Sequence, residues 1–177
     1  MGVSRRRALW VSGGAAGALL VVLALLDARM QDTGGPGIVA FELAGTSERA
    51  AEIMAEWGEK GQDAARLSLW LDFPYLLAWG SFLALAVASV RDSASERGWA
   101  RFARVGAVVV AFAIAAAACD AIEDVNLLLT LEGHGGSTAP ALAKGFAIAK
   151  FALMTIAAIY VAAGLLAIAA GRFRRVA

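Results

Sequence analysis

Four apolar runs, each about as long as a membrane is thick, constrain this chain more than any other feature. The hydrocarbon core of a bilayer is about 30 Å thick and a helix rises about 1.5 Å per residue, so a span needs about 20 mostly apolar residues. Residues 8–26 carry no charge and neither do residues 73–90, which 67–71 would lengthen if Asp72 is tolerated. Residues 102–118 carry only Arg104, and the apolar pattern resumes after a polar interruption to reach 128 and beyond; residues 140–170 carry only Lys144 and Lys150. Composition agrees, with 60% hydrophobic and 18% charged residues, which excludes disorder and disfavours an ordinary soluble enzyme. The expectation is an all-α polytopic membrane protein. One domain over 1–177 would form a bundle of four transmembrane helices at about 8–26, 72–90, 102–128 and 140–170.

Orientation follows from the cations, because loops rich in Lys and Arg stay cytoplasmic. Arg5, Arg6 and Arg7 precede the first run, Arg91, Arg97, Arg101 and Arg104 flank the link between the second and third, and Arg172, Arg174 and Arg175 follow the fourth. Both termini are therefore expected in the cytoplasm of a cell with an inner membrane. The outer segment, 27–68, holds eight acids (Asp27, Asp32, Glu42, Glu48, Glu52, Glu56, Glu59 and Asp63) against Arg29, Arg49, Lys60 and Arg66. The letters around Arg5 to Leu9 also fit a twin-arginine export signal in part, but no aromatic follows Arg7 in the usual place and no small-x-small cleavage site stands near Leu26. An uncleaved anchor is the simpler reading.

Within the outer segment, Gln31 to Gly37 is turn chemistry. Thr46 or Ser47 then caps a short helix in which Ala50, Ile53, Met54 and Trp57 recur on one face and Glu48, Glu52 and Glu56 on the other, with Gly58 as its stop. Such an amphipathic helix is expected on the outer rim of the bundle or at the bilayer interface with Trp57 among headgroups, either closing the bundle or covering a site. Gly13 and Gly17 form a G-x-x-x-G pair, and Ala113, Ala116 and Ala117 share one face of the third run, so close helix contacts are expected there.

The chemistry lies in Cys119-Asp120-Ala121-Ile122-Glu123-Asp124-Val125-Asn126. At 100° per residue Asp120, Glu123 and Asp124 share a helix face. A charge at mid-bilayer costs about 2.5 to 3.5 kcal/mol on insertion scales, so three carboxylates must face the bundle interior or water. Counting rises from the centres of the third and fourth runs puts Asp120 about 9 Å and Lys150 about 8 Å above the midplane on the outer side. Asp72 falls near that level and Lys144 above it. Asp72, Asp120, Glu123, Asp124 and Lys150 are thus the candidate ligand- or ion-binding residues, with Tyr75 and Lys144 as contributors. The competing structural readings are an interhelical salt bridge from Lys150 to Asp120 or Glu123, and Asp72 as the N-cap of the second span before Pro74. Carboxylates outnumber lysines, which leaves room for protonation, a cation or a cationic headgroup.

Other features are weaker. His134 stands alone in a Gly-rich loop and Cys119 alone in an apolar helix, short of a zinc site or a disulfide. No phosphate loop, Gly-x-Ser-x-Gly or His-Glu-x-x-His is present, and the Glu-x-x-His of di-iron bundles is absent as well. The net charge of +1 suggests no nucleic-acid partner.

At Leu71-Asp72-Phe73-Pro74-Tyr75 and Asp120-Ala121-Ile122-Glu123-Asp124 the chain resembles small bacterial four-span inner-membrane proteins with LDFxY-like and DxxE(N/D)-like elements. Asp124 stands where that pattern more often has Asn. The resemblance implies that these carboxylates act as a unit and supplies no reaction, metal or cofactor. The sequence therefore leads to an integral membrane protein whose outward-facing carboxylate/lysine cluster binds a cation, a lipid headgroup or a small polar ligand. Alternatives are a membrane enzyme acting on lipid or isoprenoid substrates through carboxylate or metal chemistry, and a small proton- or cation-coupled transporter or channel subunit. The lipid bilayer is the expected partner, with a homo-oligomer or a membrane partner protein beside it.

Overall fold

A computed structural model describes residues 3–173, and every element among them is helical. The helices are α1 (Val3–Gln31), α2 (Ile38–Glu42), α3 (Ser47–Glu96), α4 (Ala100–Leu131) and α5 (Thr138–Phe173). Four of them, α1, α3, α4 and α5, are long and apolar enough to cross a membrane. Arg174 and Arg175 lie outside the described residues, as does the side chain of Arg172.

Helix α3 is two helices in one. Thr46 caps it, its hydroxyl accepting from the Arg49 N–H at 3.2 Å, as the sequence suggests. Gly58 then takes φ 57°, ψ −169°, a conformation only glycine adopts at little cost, and breaks the helix without ending the chain's helical course. Residues 59–96 continue through Asp72 and Pro74, so Asp72 lies well inside a helix and is not an N-cap. The second span accordingly begins earlier than the proline suggests.

At the end of the bundle that holds α2, here termed the upper end, Leu26, Met30, Phe41, Ile53, Trp57, Leu69, Leu127 and Leu131 form one buried cluster. Ala50, Ile53 and Trp57 are buried while Glu48, Glu52 and Glu56 are exposed, so residues 47–57 pack one face onto the bundle. Trp57 is 1% exposed, its ring tilted against Phe41 with centroids 5.1 Å apart and its indole N–H donating to the Pro36 carbonyl at 2.6 Å. It is enclosed in the protein rather than placed among headgroups.

Lower down, Ala16, Leu76, Trp79 and Ala116 pack in the middle, followed by Val87, Val90, Val109, Ala157 and Tyr160. Small residues let the backbones approach: a Cβ on Gly80 would stand 2.8 Å from that of Ala117, and Ala113 and Ala116 are fully buried. Of the G-x-x-x-G pair, Gly13 meets Phe82 closely, whereas Gly17 faces open space. Arg5 pairs with Asp92, and Arg91 with the same carboxylate at 2.8 Å, which puts the chain's start and the end of α3 at one end of the bundle. Arg66 and Glu132 pair at 2.7 Å at the other.

Candidate functional site

Three helices and the short α2 bring their ionisable groups to one place. On α4, Asp120, Glu123 and Asp124 recur at the spacing that stacks side chains on one face, and they are 2%, 0% and 1% exposed. From α5, Lys150 reaches across, its Nζ 2.8 Å from Asp120 Oδ1 and 2.8 Å from Glu123 Oε2. The shared depth of Asp120 and Lys150 inferred from helical rise is thus realised as a direct ion pair. From α3, the Trp79 indole N–H donates to the other Asp120 oxygen at 3.0 Å, and Asp72 brings a carboxylate oxygen to within 4.8 Å of oxygens of both Asp120 and Asp124.

One member escaped the sequence reading. Glu42, the last residue of α2, is 8% exposed, with Oε2 3.7 Å from Lys150 Nζ. It belongs to the acid-rich outer segment, yet it is the sole charge between Ile38 and Ala44, a signal that this stretch packs inward. Burial raises the Glu42 carboxyl above the usual carboxylate range, against the opposing pull of the Lys150 ammonium. Trp79 was also missed; one tryptophan in an apolar span gives no sign of its partner.

Charge is unbalanced. Five carboxylates (Glu42, Asp72, Asp120, Glu123, Asp124) face one ammonium, four formal negatives in excess if all ionise. At an effective dielectric near 20, each 2.8 Å contact gives Lys150 about 6 kcal/mol of gross attraction, while burying each ion costs several kcal/mol. Two close partners hold the lysine charged; nothing comparable serves the remaining acids. Glu123 Oε2 has the Lys150 ammonium, but Glu42 Oε2, Glu123 Oε1 and Asp124 Oδ2 are buried without a hydrogen bond. Natural interiors contain few such groups, and each calls for a proton, water or ion.

Beside the cluster lies a cavity of about 330 Å³. Glu42, Asp72, Asp120, Lys150, Ser68 and Tyr75 supply its polar lining, and Leu20, Leu23 and Ala24 of α1 with Phe151 and Met154 of α5 supply apolar walls. Leu20, Val39 and Phe151 on its margin are 52%, 50% and 41% exposed, so it opens sideways between α1 and α5. Asp27 sits at the rim, accepting from the Ile38 N–H and from Gln31, both at 2.6 Å, and so ties α2 to α1. Glu123 and Asp124 stand behind the cavity wall.

The other sequence candidates separate from this group. Lys144 is exposed, its side chain lying along Gly45, and His134 is exposed beside a small upper cleft with Ser47 and Thr130. Cys119 is a half-buried free thiol. No family model, curated protein or solved structure matches this chain.

Proposed function

We propose that this is a multi-pass protein of a bacterial-type inner membrane, with both termini cytoplasmic, whose outward-facing cavity binds a cation or the polar head of a small membrane-soluble ligand. The observation that carries this reading is the meeting of apolar walls with the Glu42, Asp72 and Asp120 carboxylates and Lys150 at a single cavity, with Glu123 and Asp124 behind its wall. Excess negative charge selects a cationic or hydrogen-bond-donating group and disfavours a bare anionic headgroup. The volume lies at the lower end of the roughly 300 to 1,000 Å³ of small-ligand cavities and suits a headgroup-sized moiety, and the lateral opening suits entry from the bilayer. Residues 47–57 act as an amphipathic outer cap that holds α2, and hence Glu42, over the site.

The test is native mass spectrometry of the protein in nanodiscs of a bacterial lipid extract, comparing the wild type with Leu23→Trp, which fills the apolar wall. A small molecule or lipid retained by the wild type and lost from the folded variant is the expected result. Identical bound species in both would sink the reading. Proton flux through liposomes that Asp120→Asn abolishes would move it to transport.

A further inference from the structure

We propose that Asp72, Asp120 and Asp124 hold a divalent cation of the calcium, magnesium or manganese class. This names the cation for the cavity described above and rests on that reading only for access from outside.

Each of the three residues offers a carboxylate oxygen, and these oxygens all lie within 4.8 Å of one another. Ligand oxygens on opposite sides of a calcium-sized ion stand about 4.6 to 5.2 Å apart, from bond lengths of about 2.3 to 2.6 Å, so one ion can touch all three with small adjustments. The donors are all oxygen, with no thiolate or imidazole among them, which selects hard cations over zinc or copper.

A cluster of acids alone would not carry the point. Asp124 adds an independent observation: it is 1% exposed, its carboxylate belongs to the triad, and its Oδ2 has no hydrogen-bond partner. A buried carboxylate oxygen left this way is costly, and a cation removes the cost, since among the described residues Lys150 alone of the lysines is buried in the cluster. The ion would halve the excess of four negatives while Lys150 stays with Asp120 and Glu123. The Trp79 indole N–H and Lys150 both hold the Asp120 carboxylate, so that ligand is oriented before the ion arrives. Asp72 and Asp120 also line the cavity, which leaves the ion's remaining positions open to water or to a ligand's oxygen.

Manganese(II) is the probe. Electron paramagnetic resonance of the detergent-solubilised full chain, titrated with Mn²⁺, is expected to show one bound ion per chain that excess Ca²⁺ or Mg²⁺ displaces. Asp124→Asn and Asp72→Asn should each weaken binding at least tenfold, while the exposed-surface control Glu48→Gln/Glu52→Gln/Glu56→Gln leaves it unchanged. Absence of bound Mn²⁺ on the wild type at millimolar concentration overturns the proposal without any variant. So does binding that survives both Asn variants or disappears with the surface control. Leu23→Trp changes no ligand oxygen, so a bound species lost from that variant together with no Mn²⁺ on the wild type would uphold the cavity reading and overturn the metal site.

Discussion

Lys150 is the residue on which the site's stability turns. Removing a charged partner from a buried ion pair leaves its neighbours uncompensated, at about 3 to 5 kcal/mol. Lys150→Met should therefore lower the unfolding midpoint sharply in detergent; an unchanged midpoint would mean the carboxylates are already neutral. Because Lys150 contacts Asp120 and Glu123 equally at 2.8 Å, adding Asp120→Asn should recover only part of the loss, and adding Glu123→Gln more. A pairwise salt bridge, as spacing alone suggests, would have been repaired by the first change. Glu42 gives the pH dependence. Its folded-state pKa lies above the unfolded value, so the ionised, desolvated form weakens the fold at high pH and protonation relieves this as pH falls through the raised value. Relative to Glu42→Gln, the wild type should gain stability as pH falls through that raised value and level off below about pH 4.3, the ordinary glutamate value. A flat difference across that range would contradict it. At this scale Asp120, Glu123, Asp124 and Lys150 were legible because charges in apolar runs stand out. Glu42 was not, since an acid in a polar segment looks solvated until the fold buries it.

Among the elements, α3 departs furthest from expectation. Its amphipathic start, its cap at Thr46 and its break at Gly58 follow from local chemistry. What local chemistry does not give is the continuation: residues 59–71 are too mixed in polarity to announce a helix, yet Gly61, Ala64, Ala65, Ser68 and Leu69 are buried against the bundle. That packing carries the helix past Pro74, whose ring would otherwise favour a fresh start. Gly58→Ala should cost about 1 to 3 kcal/mol, because a Cβ is strained at φ 57°, ψ −169° although space around it is open. Equal melting temperatures for Gly58→Ala and the wild type would show that the break relaxes into a continuous helix.

For the whole molecule, the pairing of Arg5 with Asp92 and of Arg66 with Glu132 marks the two ends of the bundle, and the proposed topology, with the Arg5 end cytoplasmic, is open to a direct test. In a Cys119→Ala background, Ser137→Cys should react with an impermeant maleimide on intact cells, and Ser95→Cys only after permeabilisation. The reverse pattern would invert the topology. The sequence by itself determined the four apolar helices and the polar interruption on α4. These follow from length, hydropathy and helical period, which are properties of neighbours along the chain. Only the tertiary structure decided that Glu42 folds inward, that Lys150 serves two acids, that Asp72 joins Asp120 and Asp124, and that a cavity opens between α1 and α5. The physical reason is that a desolvated charge is defined by what surrounds it, and those surroundings come from helices distant in sequence.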